Sequence, residues 1–125
     1  GSDVVVVSLD ARDGQLAVRG WKQKTGVSGL GMLELVAKVG VKRFVYTDIA
    51  RDGTLTEPNF TAIGELVSAV DFPIIASGGI SKVDHLVRLC NLGVEGAIVG
   101  KALYTGHVSL CEALDAVEQA SAGNL

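Results

Sequence analysis

Polar side chains stand where two apolar runs of the sequence end, and their types suit acid–base chemistry. Asp10 follows an apolar run that begins at Val4, and Thr47 lies near the end of a run over Arg43–Asp48. Strand alternation places Asp10 at the mouth of a sheet, where a carboxylate can give or take a proton. The Thr47 hydroxyl both donates and accepts hydrogen bonds, which suits a proton relay. Position alone explains Asp10 equally well as the cap of a turn, and Thr47 as a buried strand threonine.

Two predicted loops carry further functional residue types. Asp52 opens Asp52-Gly53-Thr54, a turn signature that is more often structural than catalytic. The segment Gln15–Gly29 is longer than a minimal connector and contains Arg19 and Trp21, the only tryptophan. Trp21 could stack on a flat heterocycle while Arg19 pairs with a phosphate or an amide oxygen. An equally good interpretation is that Trp21 packs the loop onto the fold.

Glycines end two other apolar runs and predict a phosphate site. The first run leads into Ser77-Gly78-Gly79-Ile80, and the second leads into Gly100-Lys101. A strand that ends in glycine before a helix presents backbone N–H groups to an anion. The predicted donors are the N–H groups of Gly79, Ile80, Gly100 and Lys101. Each glycine motif alone also fits a tight turn between strand and helix, and Lys101 could equally face solvent.

These residues must be positioned by a repeating pattern of strands and helices. Four short runs rich in β-branched residues predict strands that are buried in a parallel sheet, at Val4–Leu9, Arg43–Asp48, Pro73–Ser77 and Gly96–Gly100. Residues with helical spacing follow each run. The apolar positions are Leu33, Val36 and Val39; Ile63, Leu66, Val67 and Val70; Leu86, Val87 and Cys90; and Leu110, Leu114 and Val117. The pattern predicts an α/β fold of four strand-helix units, (βα)4.

Capping residues support these boundaries. Ser81 and Ser109 are predicted N-caps, each with an acidic residue three positions on, and Gly40 and Gly93 are predicted C-caps. Right-handed crossovers would place the helices outside a parallel sheet. Four strands alone would leave two open edges and one uncovered face, so we expect another element to cover them.

Length and composition limit the functional classes. The chain has 125 residues, about half of the roughly 250 typical of a (β/α)8 barrel. With 48% hydrophobic residues and a net charge of -3, we expect a packed domain without nucleic-acid or membrane partners. We expect residues 3–120 to form the domain, residues 121–125 to be a tail and Gly1-Ser2 to be the remnant of an expression tag.

The cysteines and histidines give little functional signal. Cys90 and Cys111 lie in apolar helical patterns without partners at ligand spacing, which favours buried thiols over a disulfide or a metal site. A reducing, cytoplasmic location fits this usage best. His85 and His107 have no nucleophile or ligand near them in sequence, so we expect surface histidines.

Taken together, the motifs resemble the C-terminal half of the histidine-biosynthetic isomerases of the HisA family. The motifs that carry the resemblance are Val7-Ser8-Leu9-Asp10, Arg19-Gly20-Trp21, Phe44–Ile49 with Arg51–Leu55, Ala76–Ser81 and Gly93–Tyr104. The sister cyclase family HisF shares the Asp-Gly-Thr and Ser-Gly-Gly motifs. Arg-Gly-Trp and Val-Gly-Lys-Ala favour the isomerase.

The resemblance implies an Amadori rearrangement that converts ProFAR, a phosphoribosylformimino-aminoimidazole carboxamide ribotide, into its ribulosyl isomer without a metal or redox cofactor. It assigns an essential strand-end carboxylate to Asp10, an assisting hydroxyl to Thr47 and a neighbouring position to Asp52. Arg19 and Trp21 match substrate contacts in bifunctional members. Gly78, Gly79, Gly100 and Lys101 match one of two phosphate sites.

The resemblance also implies that half of the family's site is absent from this sequence. A second aspartate and a second phosphate loop belong to the N-terminal half of the family barrel. We therefore expect a monomer to lack isomerase activity, and we expect two copies to close one eight-stranded barrel as a homodimer. The alternative is a half-barrel that binds a phosphorylated ligand without catalysis.

Overall fold

The computed structural model describes residues 6–12, 15–17 and 37–123. Its strands are β1 (Val6–Arg12), β2 (Gln15–Ala17), β3 (Arg43–Asp48), β4 (Ile74–Ser77) and β5 (Gly96–Ile98). Its helices are α1 (Phe60–Ala69), α2 (Val83–Leu92), α3 (Lys101–Tyr104) and α4 (Leu110–Gly123). One sheet has the order β2-β1-β3-β4-β5, in which β2 is antiparallel to β1 and the other pairs are parallel. The predicted parallel α/β sheet is confirmed.

The two faces of the sheet differ in burial. Phe44, Tyr46, Ile74 and Ala76 alternate along β3 and β4 and are buried. They form one core with Ile63 of α1 and with Leu86 and Leu89 of α2. Helices therefore cover this face, as the amphipathic spacing predicted.

The opposite face is open within the described residues. Val6 at its lower end is 47% exposed, and Ile98 at its upper edge is 48% exposed. Ser8, which shares the face of Val6, is exposed as well. Val45 and Ile75 on the same face are partly buried, so the exposed apolar side chains of this face lie on its two outer parallel strands, β1 and β5.

The strand predictions were right in position and partly wrong in extent. The bounds predicted for β3 are confirmed. β1 runs three residues past its predicted end because residues 10–12 pair with β2, a strand inside the segment that we predicted as a loop. Asp13-Gly14, between the two strands, is a dipeptide that tight hairpins favour, so the signal was present in the sequence.

The last two parallel strands are shorter than predicted. β4 starts at Ile74, because Pro73 has no N–H to donate to a ladder. β5 ends at Ile98, which pairs with Ser77, the last residue of β4. The prediction that β5 reaches Gly100 was therefore wrong.

Among the predicted helical stripes, α1 is confirmed and α4 is only partly right. Ile63 is buried and Leu66, Val67 and Val70 pack against the core. In α4 the buried residue is Ala113, whereas Leu110 and Leu114 are 57% and 62% exposed. Val117, the third residue of the predicted stripe, packs against the core, and α4 lies against α2.

Other helical predictions also need correction. Val39 lies in a turn and is 85% exposed. The short helix α3 begins directly after its N-cap Gly100, where the sequence predicted that a glycine precedes a helix, but its separation from α4 was not predicted. α4 continues to Gly123, past the expected end of the domain at residue 120. Leu33 and Val36 lie outside the described residues.

The capping predictions hold for three of four residues. Gly93 is the left-handed C-cap of α2, and its N–H donates to the Cys90 carbonyl. Gly40 also has a left-handed backbone conformation, and its N–H donates to the Ala37 carbonyl. The Ser109 carbonyl and hydroxyl accept from the first turn of α4. Ser81 is not the cap of α2: the N-cap is Lys82, and the Ser81 hydroxyl donates instead to the Thr56 carbonyl.

The cysteines are less buried than predicted. Cys111 is exposed, and Cys90 is partly exposed with its Sγ atom 3.5 Å from the Ser121 hydroxyl. Both are free thiols. Across the described ranges, no helix has the length and apolar character needed to cross a membrane.

Candidate functional site

Three polar side chains form a row across the carboxyl ends of the central strands. Register pairs Asp10 of β1 with Thr47 of β3, and Thr47 with Ser77 of β4. Paired residues of neighbouring parallel strands share a face, and this row lies on the open face. All three are partly exposed. The register thus brings together Asp10 and Thr47, which the sequence indicated separately, and Ser77 extends the row.

A well-anchored loop follows β3 and carries Asp52. The backbone N–H of Asp52 donates to the Asp48 carbonyl at 2.9 Å, and Thr54 donates to the Arg51 carbonyl at 3.0 Å. Gly53 has a φ of 73°, so Asp52-Gly53-Thr54 is the turn that the sequence predicted. The side chain of Asp52 is exposed.

The Arg51 side chain connects the beginning and the end of this loop. Its guanidinium donates to the carbonyls of Glu57 and Pro58 at 3.0 and 3.1 Å. Its Nε atom lies 3.6 Å from Oδ2 of Asp48, whose carboxylate is 1% exposed. Asp48 Oδ1 accepts the Ala50 N–H at 3.1 Å. A buried carboxylate and a cation thus fix both ends of the loop.

Next to Asp48 lies a second buried polar group, the Tyr46 hydroxyl. Neither this hydroxyl nor Asp48 Oδ2 has a hydrogen-bond partner among the described residues. Burial, together with the nearby Asp48 charge, raises the pKa of Tyr46 to about 12, against a smaller lowering effect of Arg51. Both side chains lie on the helix-covered face and therefore take no part in the strand-end row.

The paired glycines after β4 are required by close packing against this loop. Gly78 and Gly79 have φ values of 101° and 83°. A Cβ atom on Gly78 would lie 2.7 Å from the Asp48 carbonyl oxygen, and one on Gly79 would collide with the Glu57 carbonyl oxygen. Only glycine fits both the backbone conformation and the space. The motif thus has a structural cause in addition to the predicted anion binding.

The glycine segments and the Asp52 loop together line a small recess. The lining includes the predicted phosphate-site residues Gly78, Gly79, Ile80, Gly100 and Lys101, together with Asp52, Gly53, Leu55 and Ile98. The sequence-based prediction that the ends of the third and fourth parallel strands lie together is confirmed. The recess also brings Asp52 to the predicted phosphate residues, an adjacency that local sequence patterns did not indicate.

The recess contains backbone N–H groups that are available to an anion. In the part of the chain that the structure describes, no backbone hydrogen bond uses the N–H groups of Gly79, Ile80, Gly100 or Lys101. The Lys101 ammonium group donates to the Gly53 carbonyl at 3.3 Å. The Lys101 side chain therefore connects the two loops across the recess. An anion bound there could accept hydrogen bonds from this cation and from several backbone N–H groups.

One buried residue beside the recess was missed by sequence reasoning. His85, expected at the surface, is 5% exposed, and its Nδ1 accepts the Ser81 N–H at 3.1 Å. Burial is the main cause that lowers the pKa of His85. A histidine in the first turn of a helix gives no periodic signal of burial. His107 is exposed as expected and lies 2.6 Å from the Thr105 hydroxyl. Arg19 and Trp21 lie outside the described residues.

Comparison with known proteins identifies the family. Residues 1–109 match the family model for histidine biosynthesis proteins. A Dehalococcoides mccartyi protein, named 1-(5-phosphoribosyl)-5-((5-phosphoribosylamino)methylideneamino) imidazole-4-carboxamide isomerase, is 55% identical over 91% of this chain and 48% of its own length. The Roseiflexus castenholzii protein of the same name is 54% identical over 93% of this chain and 49% of its own length.

A more distant relative shows the same partial coverage. The Acetivibrio thermocellus protein of that name is 45% identical over 90% of this chain and 48% of its own length. The chain thus spans about half the length of the curated relatives that it matches. With most of its length covered by the family model, the chain belongs to the histidine biosynthesis protein family.

Proposed function

We propose that this chain supplies the C-terminal half of a ProFAR isomerase, with one acid–base carboxylate and one phosphate site. The observation that carries the proposal is the arrangement at one edge of the sheet. The Asp10–Thr47–Ser77 row ends next to the recess that Gly78 and Gly79 line. A phosphorylated sugar held in such a recess would extend across the row, since both lie at the carboxyl ends of parallel strands.

The proposed reaction needs proton transfers alone. A carboxylic acid protonates the ribose ring oxygen, the bond between that oxygen and C1 breaks, and the nitrogen already attached to C1 forms a double bond to it, which gives a protonated Schiff base. A carboxylate then removes the C2 proton, and the resulting enolamine tautomerises to the aminoketose. We assign one of these transfers to Asp10, with the Thr47 hydroxyl beside it as hydrogen-bond partner. Asp52, at the rim of the recess, is the second carboxylate of this half.

The recess supports phosphate binding through backbone N–H groups that make no backbone hydrogen bond within residues 6–12, 15–17 and 37–123. Backbone N–H groups of Gly79, Ile80 and Gly100 line it, and Lys101 supplies a positive charge. Its free space is about 20 Å³, which is room for about one water molecule. A phosphate ion is larger than this space, so binding needs the recess to widen, and we expect the Lys101 ammonium group to leave the Gly53 carbonyl and pair with the anion.

The open sheet face supports completion by a second half, and we propose that a second copy of the chain supplies it. Among the residues that β1, β3, β4 and β5 place on this face, Asp10 alone carries a carboxylate. A copy related by a twofold axis would add a second Asp10 and a second recess, and it would cover Val6 and Ile98. The bisphosphate substrate would then bridge two equivalent sites.

ProFAR turnover by the purified chain tests this function. We expect conversion that is reduced at least about 100-fold by Asp10→Asn, because general acid–base groups contribute on this scale. The matched control is Ser8→Ala, on the same face of the same strand. Adding the N-terminal half of the Dehalococcoides mccartyi relative tests the alternative source of the missing half. Absence of turnover with either partner, or turnover unaffected by Asp10→Asn, would contradict the proposal.

A second candidate function is anion binding without catalysis. The observation in its favour is that the described strands place a single carboxylate, Asp10, on the open face and that Asp52 lies on an exposed loop, whereas the reaction uses an acid and a base. Phosphate-induced shifts of the Gly79 and Gly100 amides in a chain that never turns over ProFAR would identify this function.

A further inference from the structure

The loop that lines the recess is tied to a helix through an unusual acceptor. His85 lies in the first turn of α2, and its Nδ1 accepts the N–H of Ser81 at 3.1 Å. The N-cap of α2, Lys82, makes no side-chain cap hydrogen bond. At most helix starts, a serine, threonine, aspartate or asparagine oxygen accepts from the N-terminal N–H groups. Here a ring nitrogen accepts from the residue that enters the helix.

This hydrogen bond anchors the segment that forms one wall of the recess. Ser81 follows Gly79 and Ile80 directly, and its hydroxyl donates to the Thr56 carbonyl at 2.7 Å. Thr56 and the neighbouring Glu57, which contacts Gly79, belong to the loop that carries Asp52. Ser81 is thus the point where α2 and both loops of the recess are fixed to one another.

The acceptor role requires a defined protonation state of His85. A ring nitrogen that accepts a hydrogen bond carries no proton, so the ring is neutral with its proton on Nε2. If Nδ1 carried a proton, two hydrogen-bond donors, this N–H and the Ser81 N–H, would face each other. The Ser81 N–H would then have lost its acceptor. The ring also packs edge-on against Phe60, with centroids 5.8 Å apart, so it has little freedom to turn away.

We propose that neutral His85 is a positioning residue for the anion recess: by holding Ser81 it keeps Gly79 and Ile80 at the recess wall, and protonation of its ring releases them. The proposal rests on the anion site of the proposed function. It gives His85 no contact with substrate, and it makes anion affinity dependent on pH through a group that the reaction chemistry does not use.

The charges around His85 set the direction of this dependence. Burial, followed by the nearby Lys82 cation, lowers the pKa of His85; the carboxylates Glu57 and Asp84 raise it to a smaller extent, and Arg88 adds the smallest, lowering effect. A histidine whose pKa is lower in the folded state binds fewer protons folded than unfolded. Its contribution to stability is therefore complete above the ordinary histidine pKa of about 6.5 and is lost as the pH falls through the lower folded value.

Two substitutions of His85 separate the effect of losing the hydrogen-bond acceptor from the effect of protonating the ring. In His85→Asn the side-chain oxygen replaces Nδ1 as an acceptor but cannot be protonated in this range. In His85→Leu no acceptor remains. The matched control is His107→Asn, since His107 is the other histidine of the chain and is exposed.

Sulfate is the probe, because it stays a dianion over the whole range. Its affinity is measured from the Gly79 and Ile80 amide shifts between about pH 7.5 and pH 5.0. We expect the affinity of the wild type and of His107→Asn to fall about fivefold, the fold-change of a lost cap of about 1 kcal/mol. We expect His85→Asn to bind at the neutral-pH strength throughout, and His85→Leu to bind weakly at every pH.

Hydrogen exchange of the Ser81 amide gives a readout that does not depend on the anion. We expect it to be slow in the wild type and in His85→Asn at neutral pH, and several-fold faster in His85→Leu. Equal exchange in His85→Leu and wild type would overturn the role of His85, as would a pH dependence that persists in His85→Asn. Protected Ser81 without sulfate binding at any pH would overturn the anion site instead.

Discussion

At the scale of single residues, the pairing of neighbouring strands brings together polar side chains that are far apart in the sequence. Asp10 and Thr47 are 37 positions apart, yet parallel register places them side by side. Strand alternation predicted that Asp10 points into the mouth of the sheet and that Thr47 points inward. The register that pairs the two residues comes from the structure alone. His85 and Ser81 could not be predicted in the same way. Their roles depend on the path of the loop over Thr56 and Glu57, which no local spacing encodes.

The glycines of the recess allow a sharp test at this scale. We expect Gly79→Ala to destabilise the fold by about 3 kcal/mol, because the new Cβ atom adds a collision with the Glu57 carbonyl to the cost of a positive φ. Gly53→Ala is the matched control: Gly53 also has a positive φ, but a Cβ atom there would meet nothing within 4 Å.

For Gly53→Ala we expect a loss of about 1 kcal/mol, the cost of the left-handed backbone alone. Urea unfolding of the two variants gives the comparison. Equal losses would mean that the contact between Gly79 and Glu57 is absent in solution.

At the scale of elements, the sequence predicted where strands and helices occur better than where they end. Apolar runs located β3 within its observed bounds. The ends of β1 and β5 depend instead on their pairing partners, β2 and β4, and the lengths of partners cannot be derived from a run in isolation. In α4 the leucine spacing indicated the helix but not its buried face, since Leu110 and Leu114 are exposed whereas Ala113 is buried and Val117 packs against the core.

Leucines on the two packed helices α2 and α4 test this arrangement. We expect Leu89→Ala in α2 to cost about 3 kcal/mol, because Leu89 is 1% exposed and its removal leaves a cavity. Leu114→Ala in α4 deletes the same atoms at a position that is 62% exposed, so we expect a loss below about 1 kcal/mol. Denaturant midpoints with unchanged slopes provide the measurement. A larger loss for Leu114→Ala would mean that the leucine face of α4 is the buried one.

At the scale of the whole molecule, helices cover one face of the sheet, whereas the other face is open within the described residues. The closed face holds the core from Phe44 to Leu89, whereas the open face carries Asp10 together with the exposed Val6 and Ile98. Repeated strand-helix units predicted the closed face. The β2 hairpin at one edge was not predicted. Among the described residues it pairs only with residues 10–12 of β1, so residues 6–9 of that edge and the whole of β5 are the edges that a second half would extend.

The most direct measurement is the solution mass by sedimentation equilibrium across a wide concentration range, with ProFAR turnover per chain recorded on the same samples. If two copies share one site, the mass approaches that of two chains, and turnover per chain rises with the dimer fraction. Asp10→Asn would then dimerise normally without turnover. A folded chain that remains monomeric at all concentrations would contradict the homodimer, as would a dimer whose turnover does not depend on Asp10.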